Sequence, residues 1–141
     1  MGLSETKIKV RYVETDQMGI AHHSNYYHWF EVGRTEFIGQ IGMTYGEMEQ
    51  AGVLLPLIES ACTYKQGAKY EDELIIRTSI AQLTGARITF GYEVLREKDQ
   101  KCLAMGKTVH AFVNGDFRPI NLKKVNKTIW AGLESVYYSS A

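Results

Sequence analysis

The sequence predicts an α+β domain in which an antiparallel sheet of about five strands wraps around one long central helix. Three observations carry this expectation. A segment opening at Tyr26 carries Tyr26, Tyr27, Trp29, Phe30, Val32, Phe37, Ile38 and Ile41 on nearly every side of a helical projection, and a helix apolar almost all round is normally buried at the centre of its protein. Four strand-like segments follow it in succession, and one precedes it. A sheet curled over the helix buries those aromatics with few elements.

The elements read in order as follows. Residues 6–13 alternate Ile8, Val10 and Tyr12 against Lys7, Lys9 and Arg11, the period of a half-buried strand. Residues 14–25 are rich in Asp, Gly, Ser and Asn and read as a loop, with Ser24 or Asn25 as the helix N-cap. Gly33 lowers helix propensity in mid-helix, which points to a close approach there. Gly39 and Gly42 are stop signals. A short second helix spans Tyr45–Gln50 and ends at Gly52. A strand over 53–66 carries Pro56 near its start, which argues for an edge position or a bulge. Segments 73–84 and 86–97 are adjacent strands, and in the second Ile88, Phe90, Tyr92 and Val94 share one face. A charged turn leads to a last strand over 102–114. After Pro119, Val125, Ile129 and Leu133 mark the inner side of a C-terminal helix, with Lys123, Lys124 and Lys127 outside. No linker or internal repeat divides residues 1–141, so a single domain is expected.

Composition narrows the function classes. Lys plus Arg number 16, as do Asp plus Glu, so nothing favours a nucleic-acid partner or a basic membrane-surface protein. The N-terminus has no apolar core of the signal-peptide type, and no apolar run approaches the ~20 residues that span a bilayer. A cytoplasmic protein without a membrane association is expected. Cys62 and Cys102 sit among apolar, strand-like neighbours and read as buried reduced thiols. One subunit is too small to cover a helix apolar on all sides, so a homo-oligomer is expected, a dimer or a dimer of dimers paired edge to edge.

The densest chemistry lies between the first strand and the helix: Asp16, Gly19, His22, His23, Ser24 and Asn25. A helix N-terminus offers free N–H groups and partial positive charge, which can stabilise the oxyanion formed when a carbonyl is attacked. A nearby carboxylate can serve as nucleophile or as general base toward water. Gly19 would let backbone approach a ligand. His22, His23 and His28 lack the Cys or carboxylate company of a metal site, so no metal and no cofactor are expected. His28 reads as outward-facing or packed, and His110, between Val109 and Ala111 in a strand, as a structural histidine.

The run from Arg11 to Tyr26, RYVETDQMGIAHHSNY, resembles the hallmark of the 4-hydroxybenzoyl-CoA thioesterase family: a strand, Asp-x-x-Gly, a short stretch ending in His or an aromatic, then Asn or Ser and Tyr opening a long helix. WFEVGRTEF at 29–37, YKQGAKYEDEL at 64–74 and HAFVNGDFRP at 110–119 are similar to that family too, and in the same order. The resemblance implies a hotdog fold, dimers or tetramers, and metal-free hydrolysis of the thioester bond of a small acyl- or aryl-CoA, or of an acyl-carrier thioester. It implies Asp16 as the catalytic carboxylate and His23 as the residue whose N–H meets the carbonyl. The His23 side chain is similar to that of the bacterial Tol-Pal-associated thioesterase branch, which also carries an aromatic near the site, here Tyr12. With Gly19, Ser24 and Asn25, Tyr12 makes up the expected substrate wall. Met18 and His22 depart from the residues frequent at their positions and are expected to reshape the acyl pocket. Arg87 and Lys107 are the expected contacts to the coenzyme A phosphates, with Arg96, Lys65 and Lys69 as further candidates.

Two other functions fit the same fold. A dehydratase acting on 3-hydroxyacyl thioesters needs an acid and a base across Cα and Cβ, and the sequence offers one strong carboxylate. A non-catalytic acyl-CoA or acyl-carrier binding protein needs none.

Overall fold

The computed structural model describes residues 3–139. Its strands are β1 (Leu3–Lys9), β2 (Leu57–Tyr64), β3 (Glu73–Leu83), β4 (Arg87–Arg96) and β5 (Lys101–Ala111). The helices are α1 (Ser24–Gln40), α2 (Tyr45–Gln50), α3 (Leu122–Val125) and α4 (Lys127–Ser139). The strands form one antiparallel sheet in the order β1-β3-β4-β5-β2. The three longest strands make a meander at its centre, and the short β1 and β2 take the edges.

α1 lies on the inner face of this sheet. Ile88, Phe90, Tyr92 and Val94 are all buried, on the face their alternation predicts. Phe30 of α1 stacks on Tyr92 with centroids 4.3 Å apart and planes 9° from parallel, and Phe37 meets Phe90 edge-on. Two glycines set how closely the helix descends. A Cβ on Gly33 would stand 2.6 Å from Thr78 Oγ1 and 3.0 Å from Ile76 Cγ2 on β3. A Cβ on Gly106 of β5 would stand 2.5 Å from the Phe30 ring. The helix lacks a side chain at one contact and the sheet lacks one at the other, so α1 packs at backbone distance.

Several expectations are corrected. The first strand covers Leu3–Lys9 rather than 6–13. Its inward phase is as expected, with Ser4, Thr6 and Val10 buried. The chain leaves the sheet at Val10 and closes a single 3-10 turn over Tyr12–Glu14, so Tyr12 is 75% exposed instead of completing the apolar face. α1 is not apolar on every side in this chain: Glu31, Val32, Thr35 and Glu36 form an exposed stripe. Val125 is exposed at the end of α3, and Ile129, Leu133 and Val136 of α4 supply the buried face. Cys62 and Cys102 are half-buried and free. β2 covers Leu57–Tyr64 rather than 53–66; it takes an edge and shows a register shift between Leu57 and Glu59, as Pro56 predicts. α2 has the expected bounds and opens on a reciprocal cap, in which Glu47 N–H donates to Thr44 Oγ1 (3.0 Å) and Thr44 N–H to Glu47 Oε1 (3.1 Å).

Candidate active site

The chain between β1 and α1 folds into a compact loop built from its own polar groups. Asp16 N–H donates to Ile20 O (2.9 Å) and Gly19 N–H to Asp16 O (3.0 Å), which closes a tight turn. Gly19 has φ +80, and a Cβ there would meet nothing within 4 Å. Conformation, not close approach, therefore requires the glycine. The far leg of the loop is tied to the segment before β3: Ala21 N–H donates to Ala68 O (2.8 Å), and Ile20 bridges to Lys69.

The N-cap of α1 is His23 rather than Ser24 or Asn25, and its side chain makes no cap bond; the first amide of the helix is taken by His22 instead. Ser24 N–H donates to His22 Nδ1 at 3.2 Å, and Ser24 Oγ lies 2.8 Å from the same nitrogen. An acceptor Nδ1 places the neutral ring's proton on Nε2. Asn25 Nδ2 donates to Glu14 O (2.8 Å) and to His22 O (3.1 Å). The side chains of Ser24 and Asn25 thus build the turn. The amides of Ser24, Asn25 and Tyr26 all have acceptors. Among the described residues, that of His23 has none.

Asp16 is half-buried, and its Oδ1 accepts from Met18 N–H at 2.8 Å. Its other oxygen has no partner among the described residues. Two clefts meet at Asp16. One, of about 280 Å³, is lined with Met18, Ile20, His23, Tyr26, Tyr64 and Lys65 among others. The other, of about 670 Å³, is lined with Tyr12, Val13, Thr15, Gln17, Gly19 and Tyr70. Tyr12 packs edge-on against Tyr70 in the second (5.7 Å), and His23 against Tyr64 in the first (6.4 Å).

The structure brings Asp16, His23, Gly19, Ser24, Asn25 and Tyr12 into one neighbourhood. It does not bring Arg87 or Lys107 there within one chain. Arg87 opens β4 at the end remote from Arg96, and nine residues of strand span about 30 Å. Lys107 follows Gly106, which faces α1, so it points from the opposite face of the sheet, 3.6 Å from Glu59. Arg96 is paired with Asp99 at 2.7 Å. Lys65 lines the Asp16 cleft.

Sequence reasoning passed over Glu14, Tyr64 and Tyr70. Glu14 is 5% exposed. Burial alone would push its carboxyl up, but Arg11 N–H, the Trp29 indole and the Arg11 guanidinium outweigh it and hold the group below the usual carboxylate range. A charged residue inside a polar loop carries no periodic signal of burial, and its partner Trp29 lies fifteen residues on.

His110 is structural. Its Nδ1 is 3.0 Å from Leu55 O and its Nε2 is 2.9 Å from Thr108 Oγ1. Thr108 Oγ1 is 2.7 Å from Tyr92 Oη, which accepts from Arg34 Nη1 at 3.0 Å. The carbonyl requires a proton on Nδ1, so Nε2 accepts, and the donations run one way from Arg34 to Leu55. Burial pushes the His110 pKa down to about 4. Burial also pushes the Cys62 thiol up, away from a reactive thiolate. Among the described residues no group of three or more His, Cys, Asp or Glu is placed to hold a metal.

A five-stranded antiparallel sheet on a central helix defines the class, a hotdog-fold protein, and here a carboxylate stands before the N-terminus of that helix. Residues 10–127 match the thioesterase-like superfamily. The chain is similar to a putative acyl-CoA thioesterase of Bacillus subtilis, 35% identical over 124 residues that cover 88% of this chain and 90% of that one. Its structure is similar to that of a DHNA-CoA thioesterase from Staphylococcus aureus, with TM-score 0.92, 30% identity, and coverage of 99% of this chain and 94% of that one. A hypothetical protein from Thermus thermophilus superposes with TM-score 0.87 at 35% identity, over 94% and 98% of the two chains. The chain belongs to the thioesterase-like superfamily.

Proposed function

We propose that this protein hydrolyses acyl-CoA thioesters, or acyl-carrier thioesters, at Asp16. The observation that carries the reading is the pairing of a carboxylate oxygen and an amide N–H, both without partners among the described residues, on one cleft at the start of α1. The carbonyl oxygen of the thioester takes the His23 N–H, where the helix adds partial positive charge. Asp16 either attacks the carbonyl carbon or draws a proton from the attacking water. The thiolate then departs; on the general-base route the free acid is formed at once, and on the nucleophilic route water next cleaves the Asp16 anhydride to release the acid and restore the carboxylate. The two clefts that meet at Asp16 match a substrate with two arms, acyl group on one side and pantetheine on the other. The His at position 23 favours the Tol-Pal-associated branch of the 4-hydroxybenzoyl-CoA thioesterase family. A cytoplasmic location suits a coenzyme A substrate, and among the described residues no helix is long and apolar enough to cross a membrane.

The working unit in this reading is a homodimer or a dimer of dimers. β2 is an unpaired edge with Leu57 57% and Ile58 48% exposed, an edge that a monomer would normally blunt. Pairing β2 with its copy continues the sheet and covers that surface. Tyr64, at the end of β2, reaches the Asp16 cleft, so pairing there completes the cleft wall. Arg87 and Lys107 then meet coenzyme A phosphates only from a neighbouring subunit, and Lys65 is the cation the same chain supplies. Light scattering at micromolar concentration is expected to give a dimer or larger. A monomer overturns the assembly.

Thiol release from an acyl- and aryl-CoA series, followed with a colorimetric thiol reagent, tests the activity. Asp16→Asn should lower kcat at least about a hundredfold, with the protein folded. Full activity in that variant overturns the assignment. Dehydration of a 3-hydroxyacyl thioester without thiol release, or binding without turnover, replaces it with one of the rivals.

A further inference from the structure

The structure holds one buried ionised group for which the proposed chemistry has no use. Glu14 stands two residues before Asp16, and its side chain is 6% exposed. Its Oε1 accepts from Arg11 N–H at 2.8 Å, and its Oε2 accepts from the Trp29 indole N–H at 3.1 Å, with Arg11 Nη2 at 3.4 Å. Its main-chain carbonyl accepts from His22 N–H at 2.8 Å and from Asn25 Nδ2 at 2.8 Å. One residue therefore bonds the leg that carries Asp16 at two levels of the helix start: the His22–Asn25 turn through its carbonyl, and the next turn of α1 through its carboxylate. Trp29 is itself 2% exposed and packs against Tyr26 at 4.7 Å, so the indole is a fixed anchor.

The distances involved matter for chemistry. Asp16 hangs from one leg of the loop, and the free His23 N–H hangs from the other. Hydrolysis requires the attacking oxygen and the oxyanion donor at fixed separation from one carbonyl, and a misplacement of about 1 Å costs on the order of a hundredfold in rate. Within the loop the two legs are joined by the Asp16–Ile20 turn, whose other ties run to the Ala68–Lys69 segment and not to the helix. Asn25 Nδ2 ties the Asp16 leg to the first turn of α1 through the Glu14 carbonyl, and the Glu14 carboxylate ties it to the next turn, at Trp29.

We infer that Glu14, through its bond to Trp29, is a positioning residue that sets Asp16 against the His23 N–H. This rests on the site proposed above, but not on its chemistry alone. Glu14→Gln offers one acceptor oxygen where Arg11 N–H and the indole N–H each take a separate oxygen, so its amide NH2 must face one of those two donors. Trp29→Phe removes the indole donor. In the double variant the Gln oxygen takes Arg11 N–H, and its NH2 no longer faces the fixed indole donor; the Arg11 guanidinium, 3.4 Å away on a side chain 72% exposed, is free to turn toward solvent.

Two readouts on the full-length protein decide the matter. In the thiol-release assay, Glu14→Gln should lower kcat about ten- to a hundredfold with KM nearly unchanged. The double variant should turn over as fast as Glu14→Gln or faster. Losses that multiply, or a lowered melting temperature with kcat intact, overturn the inference, because a merely structural role would give those. The second readout is independent of activity: the backbone amide NMR signals of Met18, which donates to Asp16 Oδ1, and of His23. Both should move in Glu14→Gln, and by less in Trp29→Phe, which serves if Glu14→Gln does not fold. Unmoved signals overturn the inference. If Asp16→Asn retains activity while these signals move, the hydrolytic reading fails and the positioning stands.

Discussion

Two polar constellations flank α1, and they differ in what they leave unpaired. The loop before the helix and the Arg34–Tyr92–Thr108–His110 chain beneath its middle both combine charged groups, hydroxyls and histidine. In the buried chain each link has its acceptor, from Arg34 Nη1 through the two hydroxyls and His110 to the Leu55 carbonyl. In the loop the supporting groups are equally engaged, with Glu14, Asn25, Ser24 and His22 all bonded. Yet one oxygen of Asp16 and the N–H of His23 have no partner among the described residues, and both residues line one cleft. Buried polar groups without partners destabilise a fold, so free valences are tolerated where solvent or substrate reaches them. Between these two constellations the difference is where unpaired groups lie: in the loop they lie on an accessible cleft, and that marks the candidate for chemistry.

The comparison breaks most sharply on Asp16. Asp16→Asn should remove at least about a hundredfold in kcat while leaving the melting temperature near wild type, since the Asn carbonyl can still accept from Met18 N–H. A large loss of stability with activity kept would reverse the roles of the two regions.

Acid titration separates them next. His110 is 3% exposed, and burial holds its folded pKa at about 4 against 6.5. Between those values the unfolded chain binds the proton and the folded chain does not, so stability rises with pH. The contribution is complete above about pH 6.5 and is lost as pH falls toward 4, at most on the order of 3 kcal/mol. Denaturant unfolding measured across this window should show that slope, and His110→Gln should flatten it. An unchanged slope would show that His110 does not titrate as its burial requires.

The smallest effect expected is from Thr108→Val, which removes the hydroxyl between Tyr92 and His110. It should cost about 1–3 kcal/mol of stability by leaving buried groups unpaired, with kcat close to wild type. Activity that falls with stability retained would mean the inner chain reaches the chemistry, and the distinction between the regions would fail.

What local pattern encodes was legible without the structure. Alternation in 87–96 placed Ile88, Phe90, Tyr92 and Val94 on the inner face, because strand geometry repeats every two residues whatever lies opposite. Pro56 argued for an edge position or a bulge in the strand that follows it, because a residue without an N–H cannot serve inside a sheet. Gly33 announced a close approach, and Thr78 and Ile76 are what approaches. Asp16 and Gly19 stood out by their spacing before a helix. Tertiary structure decided the rest. It turned Tyr12 out of the sheet, put His23 at the helix N-cap instead of Ser24 or Asn25, and left Arg87 at the end of β4 remote from Arg96. It also buried Glu14 against Trp29 and sealed His110 in a bonded chain. Each of these depends on which group at long sequence separation arrives to accept or donate a hydrogen bond. Local periodicity fixes the direction a side chain points, but the partner that gives it a role comes only from the pairing of distant segments.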